Sequence, residues 1–397
     1  MLMKREFPLV DEHIPSVLKD DAAELQHQLK AHQDRIYSPT SQKTIRSFTP
    51  SEIAHYLSIS DIYLRKLAQE LDIPVGPNGR RLYTQQELNF IRDALHARNP
   101  DAFYKKQRVK GEALQIISVV NFKGGSCKTT TAAHLSEYLA FRGHRTLVID
   151  LDAQASLTAM FGLLPEKDVQ TGETLYGAVT YDNPRPIKEI IRKTYIDNLD
   201  LIPGNLELME FDHEAPLAMQ NGSKQPMFFT RISNQLEDIE GEYDVVIIDC
   251  PPQLGFLTMS ALCASTSLLI TIHPEMLDVM SMSQFLKSTA DLMDVVDRAG
   301  GATTSRWIRY LLTRFEPNDG PQQQMAGFMR SIFGKRLLNN AVLKSTAVSD
   351  AGLTKQTLYE IDRSQFHRAT YDRAVDSMNA VNAEIEDLIR QVWGRAK

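Results

Sequence analysis

The sequence predicts an α/β protein, a mainly parallel sheet with helices on both faces, preceded by a small helical domain. Three observations carry this. From Ala113 onward, "LQIISVVNF", "RTLVIDLD", "DLDLIP", "DVVIIDCPP", "SLLITIHP" and "WIRYLLTRF" are short apolar runs separated by helix-like stretches. Strands apolar on both faces belong to parallel sheets covered on both sides. The first run leads into a Gly-rich loop, "NFKGGSCKTTT", and ligands in such folds gather beyond the carboxyl ends of the strands. Upstream, residues 45–110 are helical in pattern and basic.

Bulk composition narrows the classes. The 397 residues are 43% hydrophobic and 24% charged, with net charge −6, so any nucleic-acid binding must be local or switched. Cys127, Cys250 and Cys263 supply neither a disulfide framework nor C-x-x-C metal spacing, as expected of a reducing cytoplasm. The N-terminus lacks the apolar run of a signal peptide, and no stretch approaches the ~20 apolar residues of a membrane span.

Taken in order, residues 1–44 are polar, with sparse apolar positions in a helical segment at 15–36. Such a helix needs a partner, so it is expected to be a dimerisation arm or to pack loosely. Within 44–110, eleven Lys/Arg against seven Asp/Glu give about +4, the asymmetry of a nucleic-acid module. Thr49, Pro50 and Glu52 form a capping-box start for a helix whose inner face is Ile53, Ala54 and Leu57. After "SIS" a second helix turns Leu64, Leu67, Ala68 and Leu71 inward and leaves Tyr63, Arg65, Lys66 and Gln69 for other faces. Two short helices across a tight turn are a helix-turn-helix pattern, whose second helix would enter a major groove. "PVGPNGRRLYT" reads as a turn and hairpin, a wing whose Arg80 and Arg81 could touch phosphate. The bland alternative is a helical domain with a solvated basic face. Residues 105–112, "KKQRVKGE", read as a linker, and 113–397 as the α/β domain.

At the loop, Gly124 and Gly125 permit positive φ and close backbone approach. Successive N–H groups and the start of a helix near Lys128 make an anion cradle. Lys128 would neutralise β/γ-phosphates and the Thr129 hydroxyl would hold Mg²⁺. A chance Gly-rich turn would have no company, but two further strands end in carboxylates, one in Asp150 and Asp152 and one in Asp249. Buried carboxylates are costly unless they serve a cation or a hydrogen-bond network. The expected fold class is therefore α/β: a mainly parallel P-loop sheet covered on both faces, preceded by a small α-helical winged helix-turn-helix domain.

"KGGSCKTT" resembles the deviant Walker A box, K-G-G-x-G-K-[ST], of ParA-type partition ATPases and their MinD and nitrogenase iron-protein relatives. "IDLDAQAS" is similar to the family's Walker A′ segment and "IIDCPP" to its Walker B. The resemblance covers 113–397, and "HPEMLDVMSMSQF" and "FGKRLLNNAVLKSTAVSDAGLTKQTLYEI" look most like the RepA proteins of repABC plasmids. It implies a weak, Mg²⁺-dependent ATPase that cycles ATP to ADP. Lys123 would reach the nucleotide of a second subunit in a homodimer. Gly124, Gly125, Ser126, Cys127, Lys128, Thr129 and Thr130 would line the phosphates, Asp152 would polarise the attacking water, and Asp249 would hold the Mg²⁺ shell. Thr313 and Arg314 are candidates for the adenine side.

Cys127 departs from the pattern, which has glycine there. It is a tolerated small residue, a weakened site or a redox switch; tolerance is favoured, although a helix N-terminus beside Lys123 and Lys128 is expected to lower its pKa. An iron–sulfur role for Cys250 and Cys263 is disfavoured against simple packing. Arg330, Lys335, Arg336 and Lys344 form a second basic cluster that would serve non-specific DNA. The acidic C-terminal segment favours a helix packed on the ATPase over a membrane helix. The implied partners are a ParB-like centromere-binding protein, operator DNA and nucleoid DNA, with no membrane and a cytoplasmic, nucleoid-associated location. The rival is a nucleotide-sensing transcriptional repressor without a segregation role.

Overall fold

The computed structural model describes residues 13–36, 43–74, 81–220 and 226–395. It divides into two units, residues 1–43 and 44–397. The first contains one described helix, α1 (Ile14–Ile36), on which Ile14, Leu18 and Leu25 are exposed. The second contains everything else.

Seven strands form one sheet: β1 (Gln115–Val120), β2 (Thr146–Asp150), β3 (Arg192–Lys193), β4 (Leu199–Ile202), β5 (Val245–Asp249), β6 (Ser267–Ile272) and β7 (Trp307–Leu312). Their order is β3-β4-β2-β5-β1-β6-β7, with every pairing parallel except β3 with β4. The sheet is thus mainly parallel, as the apolar runs indicate. The short antiparallel β3 has no sequence signal, since its Arg192 and Lys193 carry no apolar pattern. β1, β2 and β5 are buried along their whole length, because helices cover both faces. β1 lies between β5 and β6, so the loop leaving its carboxyl end is flanked by the ends of both neighbours.

α5 (Lys128–Arg142) follows that loop and packs against the C-terminal helix Arg368–Val392. That helix buries Met378, Val381, Ile385 and Ile389, which accounts for its amphipathic pattern without a membrane. Among the described residues no helix is long and apolar enough to cross one.

The N-terminal part of the second unit comprises α2 (Pro50–Leu57), α3 (Asp61–Glu70) and α4 (Gln85–Arg98). Thr49 caps α2 in a full capping box with Glu52, and Thr84 caps α4 in the same way with Glu87. Ile53, Ala54, Leu57, Leu64, Leu67 and Ala68 are buried, joined by Leu88, Ile91 and Leu95 of α4. Phe48 and Tyr83 form an antiparallel bridge beside them. Residues 105–112, linker-like in composition, are pinned in place. The Arg108 guanidinium donates to the Tyr243 and Glu112 carbonyls at 3.0 and 2.8 Å, and Arg395 pairs with Glu112 at 2.6 Å.

Candidate phosphate and magnesium site

The loop between β1 and α5 is held by its own side chains and by the ends of β6 and β7. Asn121 donates its amide to the Thr271 carbonyl on β6, while its oxygen accepts from the Lys123 N–H at 3.0 Å. The Ser126 hydroxyl donates to the Lys123 carbonyl at 3.1 Å, and the Thr271 hydroxyl donates to Ser126 Oγ at 3.3 Å. Thr313 beyond β7 is fully buried, and its hydroxyl donates to the Ser126 carbonyl at 3.2 Å. Gly125 sits at φ +78°, and a Cβ added at Gly124 or Gly125 meets nothing within 4 Å. The open space over these glycines is what a phosphate chain needs, with peptide N–H groups beneath it.

Cys127 occupies the left-handed region at φ +63°, immediately before α5. Glycine adopts that conformation without a steric cost; a side chain pays about 1–2 kcal/mol. The thiol expectation is corrected here. Burial pushes the Cys127 thiol up, and the nearby Arg314 and Lys128 only partly oppose it, so it is not a poised thiolate. Cys250 and Cys263, unlike the half-buried Cys127, are buried free thiols, pushed up by burial to about 12 and about 11, and behave as packing residues.

The three carboxylates separate into distinct roles. Asp150 and Asp249 are register partners on adjacent strands, β2 and β5. Asp150 is fully buried and satisfied: its Oδ2 accepts from the Thr158 N–H at 2.8 Å and from the Thr158 hydroxyl at 2.6 Å. The Gly204 N–H donates in turn to Thr158 Oγ1 at 2.8 Å. A Cβ at Gly204 would lie 3.0 Å from the Asp150 carboxyl carbon, so only glycine lets the chain approach that closely. Burial raises Asp150 to about 6, against these hydrogen bonds.

Asp249 is different. It is buried, and neither carboxylate oxygen has a hydrogen-bond partner in ordinary geometry. Burial and the Asp150 charge push it well above the usual range, although the Thr129 hydroxyl and the Lys128 ammonium lie near enough to oppose that rise. A buried, orphaned carboxylate beside a P-loop threonine fits a hard divalent cation with oxygen ligands. Thr129 and Asp249 are the residues that would hold Mg²⁺. Asp152 is half-buried beyond β2, and its Oδ1 accepts from the Gln154 N–H at 3.0 Å.

Lys128 is buried; burial lowers it while Asp249 and Asp152 favour its charge. Its Nζ donates to the Lys123 carbonyl at 3.3 Å. Lys123 points elsewhere, into an ion pair with Asp278 on the helix Met276–Arg298, where His273 Nδ1 stands 3.5 Å from Asp278 Oδ2. Phe122 stacks on Phe285 of that helix at 6.2 Å and is half exposed. No sequence pattern announces the pairing of Lys123 with Asp278 or of Asp150 with Thr158; only the folded geometry brings these partners together. Thr130 lies half-buried in the first turn of α5, and Arg314 is exposed at φ +52°.

Of the residues read as DNA contacts, Tyr63, Arg65, Lys66 and Gln69 share the exposed side of α3. Arg81 is half-buried and donates to the Ile73 carbonyl at 3.1 Å; Arg80 lies outside the described residues. The second basic cluster is partly committed to structure. Arg330 donates to the Leu337 and Leu338 carbonyls at 3.2 and 3.0 Å, and Lys344 pairs with Glu316 at 2.7 Å. Lys335 and Arg336 are exposed on the turn that follows the helix Gly320–Phe333.

Fold and site together define a P-loop nucleotide-binding protein of the deviant type, with a second lysine ahead of the loop glycines. The AAA_31 family, an AAA domain, matches residues 114–298. "Putative replication protein A" of Rhizobium rhizogenes is 53% identical over 388 residues, 96% of each chain. A "ParA family protein" of Chlamydia muridarum is 31% identical over 285 residues, 70% of this chain and 100% of that one. A solved "Partition Protein" shares the fold with TM-score 0.64 at 18% identity, over 96% of this chain and 100% of that one. The chain belongs to the ParA family of partition proteins, in its replication protein A branch.

Proposed function

We propose that this protein is a plasmid-partition ATPase that uses Mg²⁺-ATP as a switch. The observation that carries the reading is Asp249: a buried carboxylate without partners, next to Thr129 and Lys128 and under an open glycine loop. Bound Mg²⁺ would neutralise charge on the β- and γ-phosphates. Lys128 and the loop N–H groups hold the phosphates, and Asp152 orients the attacking water. Hydrolysis in this design is positioning and charge neutralisation. Lys123 leaves Asp278 to meet the nucleotide of a second copy, so ATP drives homodimerisation.

The dimer binds nucleoid DNA non-specifically, and a ParB-like partner on a plasmid site stimulates hydrolysis and release. The exposed Tyr63, Arg65, Lys66 and Gln69 on α3 support operator recognition and repression of the partition operon by the N-terminal module. The test is ATPase activity and plasmid retention for Lys123→Ala, Lys128→Ala and Cys127→Gly, with and without a ParB-like protein and centromere DNA. Loss of retention in both lysine variants, with stimulation in the parent, is expected. Absence of stimulation with intact operator binding would instead identify a nucleotide-sensing repressor.

A further inference from the structure

α5 has the phosphate loop at one end and the N-terminal module at the other. Its first residue is Lys128 and its last is Arg142, roughly 21 Å apart along a single 15-residue helix. The Arg142 guanidinium donates to the His55 carbonyl at 3.0 Å, the Tyr56 carbonyl at 2.9 Å and Ser58 Oγ at 2.8 Å. These groups are the C-terminal end of α2, where unsatisfied carbonyls and the helix dipole favour a cation. The reverse contact also exists. Arg92, on α4 of the module, donates to the Phe141 carbonyl in the last turn of α5. Gly143, at φ +98°, makes room for it, since a Cβ there would lie 2.8 Å from Arg92 Nε.

Each element therefore caps the other's helix terminus with a guanidinium. The clasp is dry. Arg142 and Glu386 of the C-terminal helix are almost fully buried and bonded at 2.9 Å, and Glu386 also meets His144 Nε2 at 3.0 Å. Phe141 packs on Phe48 and Tyr56 at 5.1 and 5.3 Å, closing the seam. Such a buried fork tolerates little displacement. An ångström of movement of α5 would take several charge-assisted hydrogen bonds out of range together.

We infer that Arg142 and Arg92 are positioning residues that transmit the nucleotide state of the phosphate loop, through α5, to the N-terminal module. The inference rests on the ATP-switch reading above. Phosphates gathered at the N-terminus of α5 shift it against the sheet. The clasp obliges α2 and α4 to follow, changing how α3 is presented to DNA. A module joined only by a flexible linker would have no means to sense the loop.

The test uses the full chain. Nucleotide affinity is measured with a fluorescent ATP analogue, and amide hydrogen exchange is followed over Pro50–Leu57 and Gln85–Arg98, with and without Mg²⁺ and a non-hydrolysable ATP analogue. Arg142→Met alone strands Glu386, so it is paired with Glu386→Leu; Arg92→Met attacks the other half, and Arg142→Lys keeps the charge but not the fork. The parent is expected to change protection in both helices on binding, and its operator affinity to change about fivefold or more. Arg92→Met and the double variant should bind the analogue with parental affinity yet lose both responses, with Arg142→Lys intermediate. A parent that binds the analogue with no change in either helix overturns the inference while leaving the ATP site standing, as do variants with full responses. A parent that binds no nucleotide overturns the ATP-switch reading and the clasp with it.

Discussion

Replacing Asp249 with Asn isolates what the proposed magnesium site costs the fold. In the protein without nucleotide, both Asp249 oxygens are buried and unpartnered, with Asp150 as the register partner on β2. A buried group left unsatisfied costs about 1–3 kcal/mol, and a charged one more. Asn keeps the shape, removes the charge, and offers an N–H toward the Asp150 side. Asp249→Asn is therefore expected to be about 1–3 kcal/mol more stable than the parent in urea unfolding at pH 7.5 without nucleotide. The second half of the assay adds Mg²⁺-ATP. At a hundred times its Kd, a ligand that binds only the folded state stabilises by about 2.7 kcal/mol. The parent should show that gain and the variant should lose most of it. A variant less stable than the parent without nucleotide would refute the reasoning, because Asp249 would then be a satisfied structural residue like Asp150. So would a variant with the full Mg²⁺-ATP gain.

Cys127→Gly should relieve the left-handed strain of about 1–2 kcal/mol, offset by up to ~1 kcal/mol of added chain entropy, for a small net gain in urea midpoint with ATP affinity kept. Since burial raises the Cys127 thiol, its alkylation at pH 7.5 should be slower than that of free cysteine, measured by mass spectrometry, and blocked by Mg²⁺-ATP. His134 is buried and neutral, its Nδ1–H donating to the Thr130 carbonyl at 2.7 Å and its Nε2 accepting from the Leu358 N–H at 3.1 Å. Burial lowers it to about 4 from an unfolded value near 6.5, so the unfolded chain takes up the proton first as pH falls. Stability should therefore drop by about 3 kcal/mol between pH 6.5 and 4, and His134→Gln should flatten that slope in unfolding curves. In Gly177→Ala the new Cβ would lie 2.2 Å from the Gly172 carbonyl oxygen, and a loss of about 1–3 kcal/mol is expected by thermal denaturation.

Much of the candidate site was legible because a phosphate loop is a local device. Gly125, Lys128 and Thr129 act through consecutive backbone geometry, so adjacency in sequence is adjacency in space. The strand-end carboxylates were legible as a group, since apolar runs ending in Asp are conspicuous. Their division of labour was not: Asp150 is satisfied by Thr158, eight positions along, and Asp249 is left bare. Arg330 and Lys344 looked like members of one basic patch, yet carbonyls and Glu316 occupy them. Charge in a sequence says nothing of what a folded chain sets beside it. The Cys127 thiol shows the same limit, because proximity to lysines in sequence lost to desolvation in the fold.

By itself, then, the sequence determined the mainly parallel sheet, the glycine-rich loop that leads into a helix, the Thr49 capping box of α2 and the family. All follow from short-range periodicity, backbone permissiveness and capping chemistry. Tertiary structure alone decided three things: that Lys123 rests on Asp278, 155 positions away; that Asp249 is the unpartnered carboxylate; and that Arg142 and Arg92 lock the module onto the phosphate-loop helix. The physical reason is common to them. Burial and pairing depend on which groups the completed fold brings within 3 Å of one another, and those partners lie tens to hundreds of residues apart.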